Sequence, residues 1–414
     1  MKNIPEIRIK GFEGEWKEKL IGDISDSFSG GTPNAHEPSY YGGKIPFIRS
    51  GEIGSNKTEL FLTDKGYQNS SAKIVEKGTL LYALYGATSG EVAISNINGA
   101  INQAILAIYP HKGYDSVFMH YWLKANKKDI ISTYLQGGQG NLSGELVKSI
   151  KILFPNLAEQ QSLGSFFSSF DRLLSDHHRR LENLRRVKKS MLQKMFPQQG
   201  QTVPEIRFKG FGGEWEKLLL GDLLDDNIKT NTFSRALLSD GNGEVLDIHY
   251  GDILIKFDSV LNVADVKIPH ITGSKAKDFN CYLQDGDIIF ADTAEDETAG
   301  KCIEIENIGN KYLVSGLHTI ACRPNKVIGK GFLGYYLNSP NYHNQLLPLM
   351  QGIKVFSINK MPLKQTFVQL PSSVDEQRRI GSFFTSLDNL INDEVNYIDQ
   401  LTRVKSTLLQ KMFV

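Results

Sequence analysis

The stretch ADTAEDETAGK, residues 291–301, gathers Asp292, Glu295, Asp296 and Glu297 within six positions. Clustered carboxylates can hold a divalent cation for metal-assisted phosphodiester hydrolysis. A single carboxylate can accept from the cytosine amino group. The same residues also suit a solvated acidic turn, and the sequence places no second acidic group beside them. Hydroxyl and amide side chains form the other chemical inventory. In the first half they occur in SFSGGTPNAHEPSYYGGK with Ser29 and Thr32, in YGATSGE with Tyr85, Thr88 and Ser89, and in QGGQGNLSGE with Gln136, Gln139 and Asn141. Arg49, Ser50 and Lys57 lie between the first two. In the second half, NIKTNTFSR supplies Lys229, Asn231 and Arg235, and QGIKVFSINK supplies Lys354, Ser357 and Lys360; Thr293 sits inside the acidic stretch. Such side chains bond phosphates and base edges. Solvated turns have the same composition.

Missing motifs narrow the chemistry. No GxxxxGK[ST] loop occurs, which argues against ATP-driven motor work. No Pro-Pro dipeptide occurs, so the Asp/Asn-Pro-Pro-aromatic motif typical of amino-group DNA methyltransferases is not written here. Histidines do not fall at metal-ligand spacing. The three cysteines, Cys281, Cys302 and Cys322, show no CxxC pair, which fits neither a disulfide framework nor a zinc site and suits a reducing cytoplasm. The start MKNIPEIRIKGF has no apolar core of the signal-peptide kind, and no apolar run reaches spanning length. A net charge of +1 neither demands nor excludes nucleic acid.

The elements that must position these loops are written twice. PEIRIKGFEGEW (5–16) returns as PEIRFKGFGGEW (204–215), identical at ten of twelve positions. A second repeat aligns residues 158–197 with 375–414 without a gap, both containing an EQ, a GSFF and an LQKMF. The chain is therefore opening, variable body, closing segment, then the same again. Shared ends with divergent middles fit two modules with one job and two specificities.

Each closing segment reads as a long helix. Asn156 with Glu159, and Ser373 with Glu376, have capping-box spacing. Beyond them an alternating four–three spacing predicts a coiled-coil seam. In the first helix it takes in Phe170, Leu174, His177, Leu181, Leu184, Lys188, Met191 and Met195. In the second it takes in Leu387, Ile391, Glu394, Ile398, Leu401, Lys405, Leu408 and Met412. A lone helix would expose this stripe, and the nearest mate is the other copy. Antiparallel pairing would set Lys188 against Glu394 and His177 against Lys405, unless these long polar side chains reach to solvent.

Between the ends, short apolar runs alternate with Gly-rich turns and read as strands: KIPFIRSGEI, GTLLYALYG, GEVAISN and QAILAIYP, then GDILIKF, GDIIFADT, KCIEIEN and HTIACRP. SVFMHYWLKANKKDIISTYL and KGFLGYYLNSPNYHNQLLPLM read as helical. The expected fold is α+β, with two mixed α/β bodies, each followed by a long helix. The predicted boundaries are 1–157, a helix over 158–197, linker and second body over 198–372, and a helix over 373–414.

On the duplicated PEIRxKGFxGEW, the SGGTPNAHEPSYYGGKIPFIRSGEI stretch, the EQ and GSFF of each closing helix and the LQKMF at its end, the whole chain resembles the specificity (S) subunit of type I restriction-modification systems. The resemblance implies that each body is a target recognition domain reading one half of a bipartite double-stranded DNA sequence. It implies that the helices form a spacer and a docking surface for two methyltransferase (M) subunits, with restriction (R) subunits in the full complex. S-adenosylmethionine, ATP and Mg then belong to the partners. This chain would bind no cofactor or metal and carry no active site of its own. The second body has no GGTP counterpart, which leaves its reading loops less defined. Two other classes remain: a DNA-independent coiled-coil scaffold, and a metal-dependent nuclease using the acidic stretch.

Overall fold

The computed structural model describes residues 3–134 and 141–413. Two compact units emerge: Met1–His178 with Tyr397–Val414, and Arg179–Asn396. Among the described residues no helix is long and apolar enough to cross a membrane.

The first unit is built on a four-stranded sheet. Its order is Ser25–Ser29, Ile105–Pro110, Leu80–Ala83, Val92–Ile94, all antiparallel. A second sheet runs Leu60–Leu62, Tyr41–Ile48, Gly99–Ile101, Lys73–Val75, with its central pair parallel. The second unit repeats the plan. Leu224–Asp225, Thr319–Pro324, Ile288–Ala291 and Cys302–Glu306 take the same order, and Val260–Asn262 extends the edge. Its smaller sheet also carries a parallel pair, Val245–Ile248 with Tyr312–Ser315. In each unit a short strand after the opening segment pairs with the strand before the long helix: Lys17 opposes Phe154, and Glu216 opposes Leu370.

Three sequence readings change. GDILIKF is a helix, Tyr250–Ile255, not a strand. Its start is capped by His249, and helical spacing puts Ile253 and Phe257 in the core while Ile255 is 90% exposed. KGFLGYYLNSPNYHNQLLPLM breaks into Phe332–Leu337 and Pro340–His343, because Ser339 caps a new helix and Pro340 cannot continue the old one. SVFMHYWLKANKKDIISTYL divides at Asn126 into Ser116–Ala125 and Lys127–Tyr134.

The long helices span Leu157–Lys194 and Val374–Met412. Within each unit they run antiparallel. In the first unit, Phe167 packs on Phe413 and His177 on Tyr397, with ring centroids 5.5 and 4.5 Å apart. In the second, Phe384 packs on Phe196 at 5.8 Å, and Glu394 takes Arg180 at 3.4 Å. Along the first helix Leu181 is buried, and Phe170, Leu174, His177, Leu184, Lys188 and Met191 are half-buried. Along the second, Leu387, Glu394, Ile398 and Lys405 are buried, and Ile391, Leu401 and Leu408 half-buried.

The polar pairing differs from the sequence expectation. Lys188 meets Asp388 rather than Glu394, and Lys405 meets Asp171 rather than His177. The lysine stems carry their ammonium groups off the seam axis to carboxylates that flank it. Each aspartate also accepts from a tyrosine of its own body, Tyr121 at 2.6 Å and Tyr335 at 2.8 Å.

The capping boxes form only in half. Asn156 accepts from the Glu159 amide at 2.9 Å, and Ser373 from the Glu376 amide at 3.3 Å. The glutamates do not reach back. Glu159 receives Arg8 through two bonds of 2.8 and 2.7 Å, and Glu376 receives Arg207 through 2.6 and 2.8 Å. Each arginine also grips its own opening segment, at Gly14 O and Gly213 O. The glutamine that follows each glutamate bonds the preceding proline carbonyl, at 2.9 Å in both copies, and an amide of its own body, at Asp115 or Gly329. The GSFF glycine allows close approach: a β-carbon on Gly381 would stand 2.2 Å from the Lys330 carbonyl oxygen. Trp16 and Trp215 close each core against Phe118 and Phe332, both at 5.7 Å. The repeated residues are thus a set of clasps that fasten opening segment, body and helix.

Candidate nucleic-acid interface

In the first unit, loops from the ends of the four-stranded sheet meet at one place. Leu84 N donates to Ala104 O at 2.8 Å, Leu142 N to Leu84 O at 2.8 Å, and Gly31 N to Ile101 O at 3.2 Å. Gly30 lies so close to this strand that a β-carbon there would stand 1.8 Å from the Ile101 carbonyl oxygen. Thr32 donates to Gln103 Oε1 at 2.5 Å, and Asn141 Oδ1 accepts from Gly86 N at 3.4 Å. Ser29, Thr32, Tyr85, Thr88 and Asn141 are thereby drawn together. Ser89 is not available there: its buried hydroxyl donates to Leu84 O at 3.0 Å. Gln136 and Gln139 lie outside the described residues.

Arg49, Ser50 and Lys57 belong to another loop, between Tyr41–Ile48 and Leu60–Leu62. Arg49 is held by Glu52 at 3.1 Å and Glu59 at 2.6 Å, so its charge is already matched within the body. Burial pushes the Glu52 carboxyl up, but the guanidinium and two backbone amides outweigh it and hold it down at about 2. Ser50 opens a 3-10 turn, and Lys57 is exposed.

The second unit gathers more loops. Asn231 N donates to Ser315 O at 2.9 Å, Asp292 N to His318 O at 3.0 Å, Ile358 N to Asp292 O at 2.8 Å, and Tyr250 N to Leu317 O at 3.4 Å. Thr293–Ala294 pairs with Phe356–Ser357, which joins the acidic stretch to QGIKVFSINK. Thr293 and Ser357 are therefore neighbours, and Lys354 stands exposed at the turn beyond. Asn231 faces inward: it donates to Asp247 Oδ2 at 2.6 Å and Ser315 O at 2.9 Å, and accepts from Phe233 N at 3.0 Å. Burial pushes the Asp247 carboxyl up to about 6 despite this bond. Arg235 pairs with Asp252, and Lys360 with Asp226 at 3.2 Å. Lys229 is exposed.

Asp292, Glu295, Asp296 and Glu297 do not converge on a cation position. Among the described residues no group of three His, Cys, Asp or Glu is arranged to hold a metal ion. Asp292 instead takes Thr293 Oγ1 at 2.7 Å and His318, and Asp296 caps its own turn through Thr298 N at 2.9 Å. Sequence reasoning missed Gln103 and His318, which sit in strand-end positions that carry no polar-loop composition.

Both loop clusters therefore occupy the same strand ends, with different side chains. This arrangement suits recognition of a polar polymer by two related but unlike surfaces.

A family model described as "Type I restriction modification DNA specificity domain" matches residues 13–186 and again 213–403. Among curated proteins, the chain is 26% identical over 246 residues to the type I restriction enzyme MjaIX specificity subunit of Methanocaldococcus jannaschii, covering 54% of this chain and 55% of that protein. It is 22% identical over 409 residues to the MjaVIII specificity subunit of the same organism, covering 95% and 91%. The chain thus spans about half the length of the first relative and nearly all of the second. Among solved structures, the S subunit of the type I restriction-modification system from M. genitalium superposes with a TM-score of 0.60 at 16% identity, covering 99% of each chain, a likeness of fold.

Proposed function

The chain belongs to the type I restriction-modification DNA specificity family, and from that premise we propose that it is the non-catalytic subunit through which such a complex reads its DNA target. Each body, residues 1–157 and 198–372, reads one half of a bipartite double-stranded sequence. The two long helices hold the halves at a set spacing and dock two methyltransferase subunits. Restriction subunits complete the endonuclease. S-adenosylmethionine, ATP and Mg serve those partners, and the methylated group is an adenine N6.

One observation carries this reading. The clasps at Arg8–Glu159 and Arg207–Glu376 are the same, while the loop clusters they support are not. Identical ends suit two identical partners, and unlike loops suit two unlike half-sites. Energetics favour the bipartite arrangement. Each mismatched base pair costs roughly 1–3 kcal/mol, so one small reader alone discriminates weakly. Two readers on one chain bind with the second step intramolecular.

The test is a methylome. The chain is co-expressed with its methyltransferase subunit in a host lacking adenine methylation, and N6-methyladenine is mapped. One bipartite motif with a fixed unread gap is expected. A contiguous motif would mean that one body is silent. No methylation, from a methyltransferase subunit active with another S chain, would replace this reading with a scaffold.

A further inference from the structure

His318 is one of two non-glycine residues with positive φ among the described residues, at +55°. That backbone region is unfavourable for a residue with a β-carbon and is found where surrounding structure imposes it. Here the Asp292 amide pins the His318 carbonyl at 3.0 Å, and the Tyr250 amide binds Leu317 O just before it. Glycine would fit this turn without strain, yet the chain places an imidazole there.

The imidazole is held on one side and open on the other. Its Nδ1 lies 3.3 Å from Asp292 Oδ1 and 3.4 Å from Thr293 Oγ1. Thr293 donates to the same Asp292 oxygen at 2.7 Å, which orients the carboxylate. The ring stands edge-to-face against Tyr250, with centroids 5.2 Å apart. The side chain remains 47% exposed. A carboxylate beside Nδ1 keeps the proton there in the neutral ring, so Nε2 presents a lone pair.

We propose that His318 is a base-reading residue of the second body, accepting through Nε2 from an exocyclic amino group, adenine N6 or cytosine N4, in the major groove. Asp292 and Thr293 are its positioning residues. The proposal rests on the reading that the second body binds DNA. The first unit supports the assignment by contrast. There the bond from Leu84 N to Ala104 O, 2.8 Å, repeats the one from Asp292 N to His318 O. The same backbone position thus carries a methyl group in one reader and an oriented imidazole in the other.

The experiment compares methylomes of the full chain, co-expressed with its methyltransferase subunit, as wild type, H318G and H318N. Glycine removes the imidazole and relieves the backbone, and asparagine tolerates the same φ. The expected result is loss of preference at one base position of one half-site, on the order of tenfold, with the other half and the gap unchanged. D292N should loosen the same position to a smaller extent. A motif for H318G identical to wild type would overturn the proposal. So would loss of all methylation by both H318G and H318N while the methyltransferase subunit still co-purifies. A wild-type chain that yields no bipartite motif would instead overturn the underlying reading, and this proposal with it.

Discussion

Lys405 on the second long helix forms an ion pair with Asp171 on the first, and Tyr121 donates to the other oxygen of that carboxylate. The pair recurs as Lys188, Asp388 and Tyr335 in the second unit. Both lysines also lie over the tyrosine ring, at 5.5 and 5.8 Å. The same three groups therefore bind each body to the helix pair twice over.

The two pairs should differ in strength. Asp388 is 6% exposed, whereas Asp171 is 41% exposed. Removing Lys188 leaves a buried carboxylate unpaired, which costs roughly 3–5 kcal/mol. Removing Lys405 leaves one that water reaches, and about 1–2 kcal/mol is expected. Denaturant melts of K188A and K405A, each with its aspartate partner in a double-mutant cycle, measure this. Coupling equal to zero within about 0.5 kcal/mol for Lys188 and Asp388 would sink the assignment.

The seam was legible in sequence because a four–three spacing specifies which residues share a stripe. It does not specify what lies across from them, so spacing alone points Lys188 at Glu394, whereas its carboxylate is Asp388. The helix caps were legible at Asn156 and Ser373, because capping is local. The partner of Glu159 is not legible in the local sequence because Arg8 is 151 residues away. Among the loop residues, type alone does not separate outward from inward. Ser89 and Asn231 satisfy their polar atoms inside their bodies, while Thr32 and Thr293 stand among the converging loops. His318 escaped notice because its orientation depends on a backbone angle and on a carboxylate from another loop.

The Arg8 and Arg207 clasps should be asymmetric to mutation. Glu159 and Glu376 are each 1% exposed, and their arginines 15% and 13%. An arginine-to-alanine change strands a buried carboxylate. A glutamate-to-alanine change leaves an arginine that keeps its carbonyl partners, Gly14 O in one copy and Gly213 O in the other. R8A and R207A should therefore lose more stability than E159A and E376A, by about 1–2 kcal/mol. Melting midpoints decide it. Proteolysis should first open at the freed segment 5–16 or 204–215. Equal losses from both partners would contradict the clasp geometry.

The aromatic residues just past each long helix predict where damage stays local. Phe413 packs on Phe118 and Phe167, at 5.4 and 5.5 Å, inside the first unit. Phe196 packs on Trp215, Phe332 and Phe384 inside the second. F413A should cost about 3 kcal/mol and speed amide exchange in the first unit, although Phe413 lies just past the last helix of the chain. F196A should do the converse, although Phe196 lies just past the first long helix. Exchange that rises around the mutated residue alone would count against both.

Two buried carboxyls give the second unit a pH dependence of definite sign. Burial pushes Glu304 up to about 7, although it accepts from Gly331 N at 2.6 Å and Gly334 N at 2.9 Å. Asp247 is pushed up to about 6. In the unfolded chain both titrate near pH 4. Between those values the folded chain binds more protons than the unfolded one, so stability falls as pH rises through about 4 to 7 and levels off above. The loss should reach about 4 kcal/mol in hydrogen-exchange free energy of the second unit between pH 5 and pH 8. The double variant E304Q with D247N cannot release these protons. It should flatten the slope even where its absolute stability is lower, because glutamine and asparagine reproduce only part of the carboxyl bonding. The comparison is of slopes within one unit, so titrating groups elsewhere cancel. A variant slope as steep as wild type would assign the pH dependence to other groups.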